Sequence, residues 1–195
     1  MIKAVIFDMD GTIVEAPYNW KQIKAKLNTE GKPILSYLDS LNGAKRDEKW
    51  EILERIEDEA TKKAVIKEGI VELLDFLTEG NVKKALVTNN SKRNVIYLLK
   101  KFKLDFDLII SREYGLWKPS GAPFIAVMDM LKVSKEECCV VGDSPFDIEA
   151  AMDSGINKIF IVNDKKHKLD PLKAEIFDSL QDLHRRLEQF IEEGK

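Results

Sequence analysis

The chain has 195 residues, 44% of them apolar and 33% charged, with a formal net charge of −3. That is enough apolar material for one ordinary core, and one core domain carrying an insertion suits the length better than two independent domains. With this slight acidity nothing points to nucleic acid or to an anionic membrane surface as a partner. No apolar run approaches the ~20 residues that span a bilayer.

The first apolar run, 4–7, begins the chain with no signal peptide ahead of it, so a soluble, cytoplasmic protein is expected. It ends in Asp8-Met9-Asp10-Gly11-Thr12. Residues 16–68 then hold no convincing strand and read as three helices. Trp20, Ile23 and Leu27 share one helix face. Leu35, Leu38 and Leu41 share a second, and Trp50, Leu53, Ile56 and Ala60 a third. Gly31-Lys32-Pro33 and Asn42-Gly43 punctuate them. Gly69 marks the return, because 70–77 resumes an apolar pattern.

Further short apolar runs follow at 85–87, 108–110, 138–141 and 159–162, with a weaker one at 175–177. Each suits a strand covered on both faces. Between them lie helical stripes: Val95, Leu98, Leu99 and Phe102, then Phe124, Val127, Met128 and Leu131. Such alternation predicts an α/β fold with a doubly wound parallel sheet. Residues 1–15 and 69–195 would form this core, and residues 16–68 a small α-helical cap inserted after the first strand. The tail from about 178 to 193 reads as one amphipathic helix. The adjacent Cys138 and Cys139 read as buried thiols. His167, among lysines, and His184, on the tail helix, read as solvated and lack metal-ligand spacing.

In an open α/β sheet, ligands bind beyond the carboxyl ends of the strands. Those ends carry Asp8 and Asp10, then Thr88-Asn89-Asn90-Ser91, then Lys118-Pro119 in the loop after the third core strand, then Gly142-Asp143-Ser144 with Asp147 following. Each group alone has a structural reading. Asp8–Thr12 could close a turn, Thr88–Ser91 could cap a helix, and Ser144 with Asp147 is spaced as a capping box. A calcium loop starting at Asp8 fails, because Ile13 and Asn19 stand where Gly and Glu are required. Together the groups bring Asp8, Asp10, Asp143 and Asp147 to one sheet edge against one lysine. Crowded carboxylates stay ionised only beside compensating positive charge. An all-oxygen donor set of this kind suits Mg²⁺. A carboxylate can attack phosphorus and form an acyl phosphate. A second carboxyl two residues on can protonate the leaving oxygen and later activate water.

This combination resembles the haloacid dehalogenase superfamily, on the branch of phosphoglycolate phosphatases and β-phosphoglucomutase-like proteins with a small helical cap. The motif-bearing segments are Phe7-Asp8-Met9-Asp10-Gly11-Thr12, Thr88-Asn89, Lys118-Pro119 and Gly142-Asp143-Ser144-Pro145-Phe146-Asp147. The resemblance implies that Asp8 is nucleophile and metal ligand, and that Asp10 is acid/base with its backbone carbonyl on the metal. It implies that Thr88, Asn89 and Lys118 hold the phosphoryl group, and that Lys118 also orients Asp8. Asp143 would be a metal ligand, and Asp147 a ligand or a support for the ligands. Relatives with this cap often carry an Asp where this chain has Glu15-Ala16, and a second proline nearer the Lys-Pro than Pro123. The expected activity is Mg²⁺-dependent hydrolysis of a small phosphorylated metabolite, such as phosphoglycolate or a sugar phosphate, by a monomer or homodimer. An intramolecular sugar-phosphate mutase would use the same Asp8 and Asp10. A dehalogenase would have no use for Asp10, and a non-catalytic phosphate-binding protein would show an eroded site.

Overall fold

A computed structural model of the chain describes residues 1–162 and 169–192. Six strands form one sheet: β1 (Ala4–Phe7), β4 (Lys83–Val87), β5 (Leu108–Ile110), β6 (Cys138–Gly142), β7 (Ile159–Val162) and β8 (Glu175–Phe177). Their order is β5-β4-β1-β6-β7-β8, and every pairing is parallel. The apolar runs that predicted these strands match them to within two residues.

Strand alternation explains the three layers. Val5, Phe7, Leu86, Cys139, Val141, Phe160 and Val162 face one apolar cluster. Ala4, Ile6, Ala85, Val87, Cys138, Val140, Ile159 and Ile161 face the other. Helices α4 (Ile70–Glu79), α5 (Lys92–Phe102) and α8 (Leu180–Glu192) cover the first face, with Leu73, Leu77, Val95, Leu98, Leu183 and Leu187 turned inward. Helices α6 (Ala122–Leu131) and α7 (Pro145–Ser154) cover the second through Phe124, Val127, Ile148 and Ala151. Strands buried on both faces carry apolar residues at every position, which is why they read as continuous runs.

The insertion holds α1 (Trp20–Leu27), α2 (Ile34–Asp39) and α3 (Gly43–Lys63). Ile23, Leu27, Leu35, Tyr37, Leu38 and Leu53 close a small apolar cluster of their own. The far end of α3 joins the main core instead, through Ala60 and Ala64. One expectation is corrected here. The segment does contain a strand, β3 (Val65–Ile66), paired antiparallel with β2 (Val14–Glu15), so a two-stranded ribbon frames the insertion. Two residues are too few to show period-two alternation in the sequence.

Two further corrections concern single residues. Trp20 leaves the apolar face assigned to it: it is 46% exposed and stacks on Tyr18 with ring centroids 4.6 Å apart. His184 is only partly solvated; its ring packs 4.9 Å from that of Phe76. His167 lies outside the described residues. Both cysteines are buried free thiols. No helix among the described residues is long and apolar enough to cross a membrane.

Candidate active site

Because the sheet is parallel, β1, β4, β5 and β6 all end at one edge, and the predicted residues meet there. Asp8 follows β1, Thr88 follows β4, Asp143 follows β6, and Lys118 lies beyond the 3₁₀ turn Arg112–Tyr114 after β5. Lys118 is 4% exposed, with Nζ 2.5 Å from Asp8 Oδ1 and 2.6 Å from Asp147 Oδ1. Burial alone would lower the proton affinity of this amine. The Asp147 and Asp8 carboxylates more than offset it and hold Lys118 firmly cationic.

Asp147 is fully buried, and both of its oxygens are engaged. Oδ1 accepts from Lys118, and Oδ2 accepts from the Asp143 and Ser144 amides and, at 2.7 Å, from the Ser144 hydroxyl. The capping box predicted for Ser144 and Asp147 is therefore present at the start of α7. The same carboxylate also fastens Lys118, so capping and the site are one structure.

Asp8 Oδ2 is not tied to Lys118 and has a long, 3.4 Å contact from the Thr12 hydroxyl. Burial raises its carboxyl to about 6, with the nearby Lys118 cation acting against that rise. Asp10 rises further, to about 7, through burial and then the Asp8 charge. Its Oδ2 accepts from Asn90 Nδ2 at 3.0 Å, whereas its Oδ1 is buried without a hydrogen-bond partner. A buried carboxyl oxygen without a partner is costly unless a ligand group completes it.

Asn89 is anchored through its side chain. Its side chain donates to the Lys118 carbonyl and accepts from the Lys118 amide, both at 2.9 Å. Those bonds tie the β4 loop to the lysine loop and leave the main-chain amide as what Asn89 can offer a phosphoryl group. Thr88 is buried, and its Oγ accepts from the Asn90 amide, so its hydroxyl proton is free to donate. The helix that follows is capped by Ser91, which accepts from the Asn94 amide.

A carboxylate oxygen from each of Asp8, Asp143 and Asp147 lies within 4.8 Å of the others, and the donor set is hard oxygen. Since Asp147 already accepts four hydrogen bonds, Asp8 and Asp143 are the carboxylates best able to hold a divalent cation. Four carboxylates against one ammonium leave room for two positive charges. Gly11 shapes this spot. Its φ is +96°, and a Cβ there would overlap the Asp143 carboxylate. Gly11→Ala should destabilise the fold by about 1–2 kcal/mol. By displacing Asp143 it should also weaken any Mg²⁺ binding there roughly tenfold. Thermal melts and calorimetric titration would check the pair of effects; wild-type Mg²⁺ affinity would show that Asp143 is not a ligand.

Sequence reasoning placed Asn90 at this edge without a role and missed Glu57 and Arg112. Asn90 donates to both Asp10 and the Tyr18 hydroxyl, each at 3.0 Å. Glu57, on α3, is buried and ion-paired with buried Arg112 of the core. Burial raises the Glu57 carboxyl to about 7 despite the Arg112 charge. One signal was available: Glu57 lies four residues after Leu53 and three before Ala60, in apolar helical phase. Arg93–Asp58 at 2.6 Å and Lys101 Nζ to the Ala64 carbonyl at 2.8 Å also fasten α3 to the core. Under the insertion lies a cavity of about 340 Å³, lined by Asp8, Asp10, Thr88, Lys118 and Asp143 below and by Trp20, Lys24, Leu35, Leu53 and Glu57 above.

The sequence profile of the Haloacid dehalogenase-like hydrolase family matches residues 15–161. The chain belongs to the haloacid dehalogenase-like hydrolases. Two relatives illustrate the range within this family. An "Uncharacterized hydrolase" of Saccharomyces cerevisiae is 30% identical over 196 residues, spanning 96% of this chain and 90% of its own. A "Phosphorylated carbohydrates phosphatase" of Thermotoga maritima is 29% identical over 206 residues, spanning 89% of each chain. Among solved structures, a hydrolase from Pseudomonas syringae superposes with a TM-score of 0.80 at 22% identity, covering 96% of this chain and 98% of that one. The profile begins after Asp8 and Asp10, so their place in this hydrolase is read from the first strand and from the geometry above.

Proposed function

We propose that this hydrolase is a Mg²⁺-dependent phosphomonoesterase working through an aspartyl phosphate on Asp8. The observation that carries the reading is the Lys118 ammonium clamped between Asp8 and Asp147, beside an Asp10 carboxyl raised to about 7 with one oxygen unpartnered.

Asp8 Oδ2 attacks phosphorus as the bond to the leaving oxygen breaks. The protonated Asp10 gives its proton to that oxygen, and the alcohol departs. Asp10, now ionised, takes a proton from water, which attacks the same phosphorus. The bond to Asp8 then breaks, releasing inorganic phosphate and restoring both carboxyls. Thr88 and the Asn89 amide hold the phosphoryl oxygens, and Lys118 neutralises charge growing on them. Mg²⁺ would sit on Asp8, Asp143 and the Asp10 backbone carbonyl, supplying the positive charge that lets an anionic phosphate approach. Asp147 acts through Lys118 and the loop amides it holds.

A panel of phosphorylated metabolites tests this reading. Purified protein with Mg²⁺ should release phosphate, and a chelator should suppress release at least about a hundredfold, with recovery on adding Mg²⁺ back. Release unaffected by the chelator, or none from any ester, would contradict it.

A further inference from the structure

The cavity over Asp8 has a second end, built by the insertion, and its composition bears on the leaving group. Leu35 and Leu53 are buried, and with Ile34 and Pro33 they make an apolar wall. Glu57 is the one carboxylate that the insertion contributes to the lining among the described residues. Its two oxygens are not equivalent. Oε2 accepts from Arg112 Nη2. Oε1 has no hydrogen-bond partner among the described residues and is not sealed from solvent, which leaves it as the acceptor Glu57 can offer to the cavity it lines.

Arg112 cannot serve a ligand there. Its Nε and Nη1 are sealed from solvent, it is not part of the lining, and its guanidinium lies 5.4 Å from the centre of the Trp50 ring. The other charged group the insertion adds to the lining is Lys24, which is exposed and therefore screened by solvent. A ligand reaching this end thus meets an apolar wall, the Trp20 ring, the exposed Lys24 and one carboxylate acceptor, that of Glu57. A hydroxyl or ammonium supplies the donor that oxygen requires. A carboxylate or second phosphate has only acceptors to offer, and like charge adds repulsion where screening is weak.

We propose that Glu57 is a specificity-determining residue. Its Oε1 receives a hydrogen bond from a donor on the leaving group, so the substrate is the phosphate monoester of a polyol, sugar or amino alcohol. Compounds with a second anion at that end are rejected. This narrows the phosphatase reading above and rests on it.

The experiment compares kcat/KM with Mg²⁺ for glycerol 1-phosphate, O-phosphoethanolamine and phosphoglycolate, with p-nitrophenyl phosphate as reference, near neutral pH, where Asp10 still holds part of its proton and the ratio between esters cancels its titration. Wild type should prefer at least one donor-bearing ester over phosphoglycolate by roughly 10- to 100-fold. The two donor-bearing arms tell hydroxyl from ammonium. Glu57→Gln should shrink that ratio at least about fivefold, because the amide can donate to the second anion. Glu57→Asp keeps a charge for Arg112 but withdraws the acceptor, and it should shrink the ratio too. A purely structural role would lower all rates together and leave the ratio unmoved. Turnover of p-nitrophenyl phosphate with phosphoglycolate equal or preferred, or with a ratio indifferent to both variants, overturns the Glu57 assignment alone. No turnover of any ester overturns the phosphatase reading and this one with it.

Discussion

Asp8→Asn should abolish turnover, lowering kcat by a factor on the order of 10⁴ or more, while leaving the protein folded. An amide oxygen carries no negative charge with which to attack phosphorus, and no neighbouring carboxylate can replace it. Asp147 is committed to Lys118 and the loop amides, burial keeps the Asp10 carboxyl protonated up to about pH 7, and Asp143 is assigned to the cation. The fold should survive because Asp147 still pairs with the Lys118 ammonium at 2.6 Å. The substitution also removes a carboxylate that burial disfavours. Steady-state assays beside circular dichroism separate the two effects. Residual activity above about one per cent in a folded variant would show that another group attacks.

Asp10→Asn should be equally informative, because it is expected to lose activity and gain stability. Loss of general acid catalysis lowers kcat roughly 10²- to 10⁴-fold for alkyl phosphates. The loss should be smaller for p-nitrophenyl phosphate, whose leaving group departs without a proton. The stability gain follows from linkage. The folded-state value of about 7 lies above the ordinary 3.8, so the folded protein binds the proton more tightly. Wild-type stability therefore falls as pH rises from about 4 to about 7 and stays lower above that. Asn carries no such penalty. In the absence of metal, the variant should melt several degrees above wild type at pH 8, a gain on the order of 2 kcal/mol. The gain should shrink towards pH 4, and adding Mg²⁺ should narrow it at pH 8 by stabilising the wild-type carboxylates. Equal melting temperatures across that range would show that Asp10 is not strained in the folded state.

These predictions fall on the part of the molecule most legible in sequence. Asp8, Thr88 and Asp143 each follow directly on a buried strand, and a parallel sheet sends all such ends to one edge. Apolar runs followed by polar residues were therefore enough to gather Asp8, Asp10, Thr88, Lys118, Asp143 and Asp147. What escaped depends on contacts between distant segments. Asn90 reaches Tyr18 across 72 positions, and Arg112 reaches Glu57 across 55. Periodicity within one helix cannot report either. Trp20 shows the same limit from the other side, since it fits an apolar helical face yet stacks on Tyr18 and lines the cavity while half-exposed. Asn89 was placed on the right loop, but its side chain is spent on the Lys118 backbone, which only the fold reveals.

The direct test of the account is to trap the covalent intermediate. Borohydride added during steady turnover reduces an acyl phosphate to an alcohol, so an aspartyl phosphate at position 8 is recovered as homoserine in that residue's peptide. This conversion is expected at Asp8 only, dependent on substrate and Mg²⁺. An enzyme that releases phosphate with Asp8 unmodified, or with reduction at another carboxylate, would contradict it.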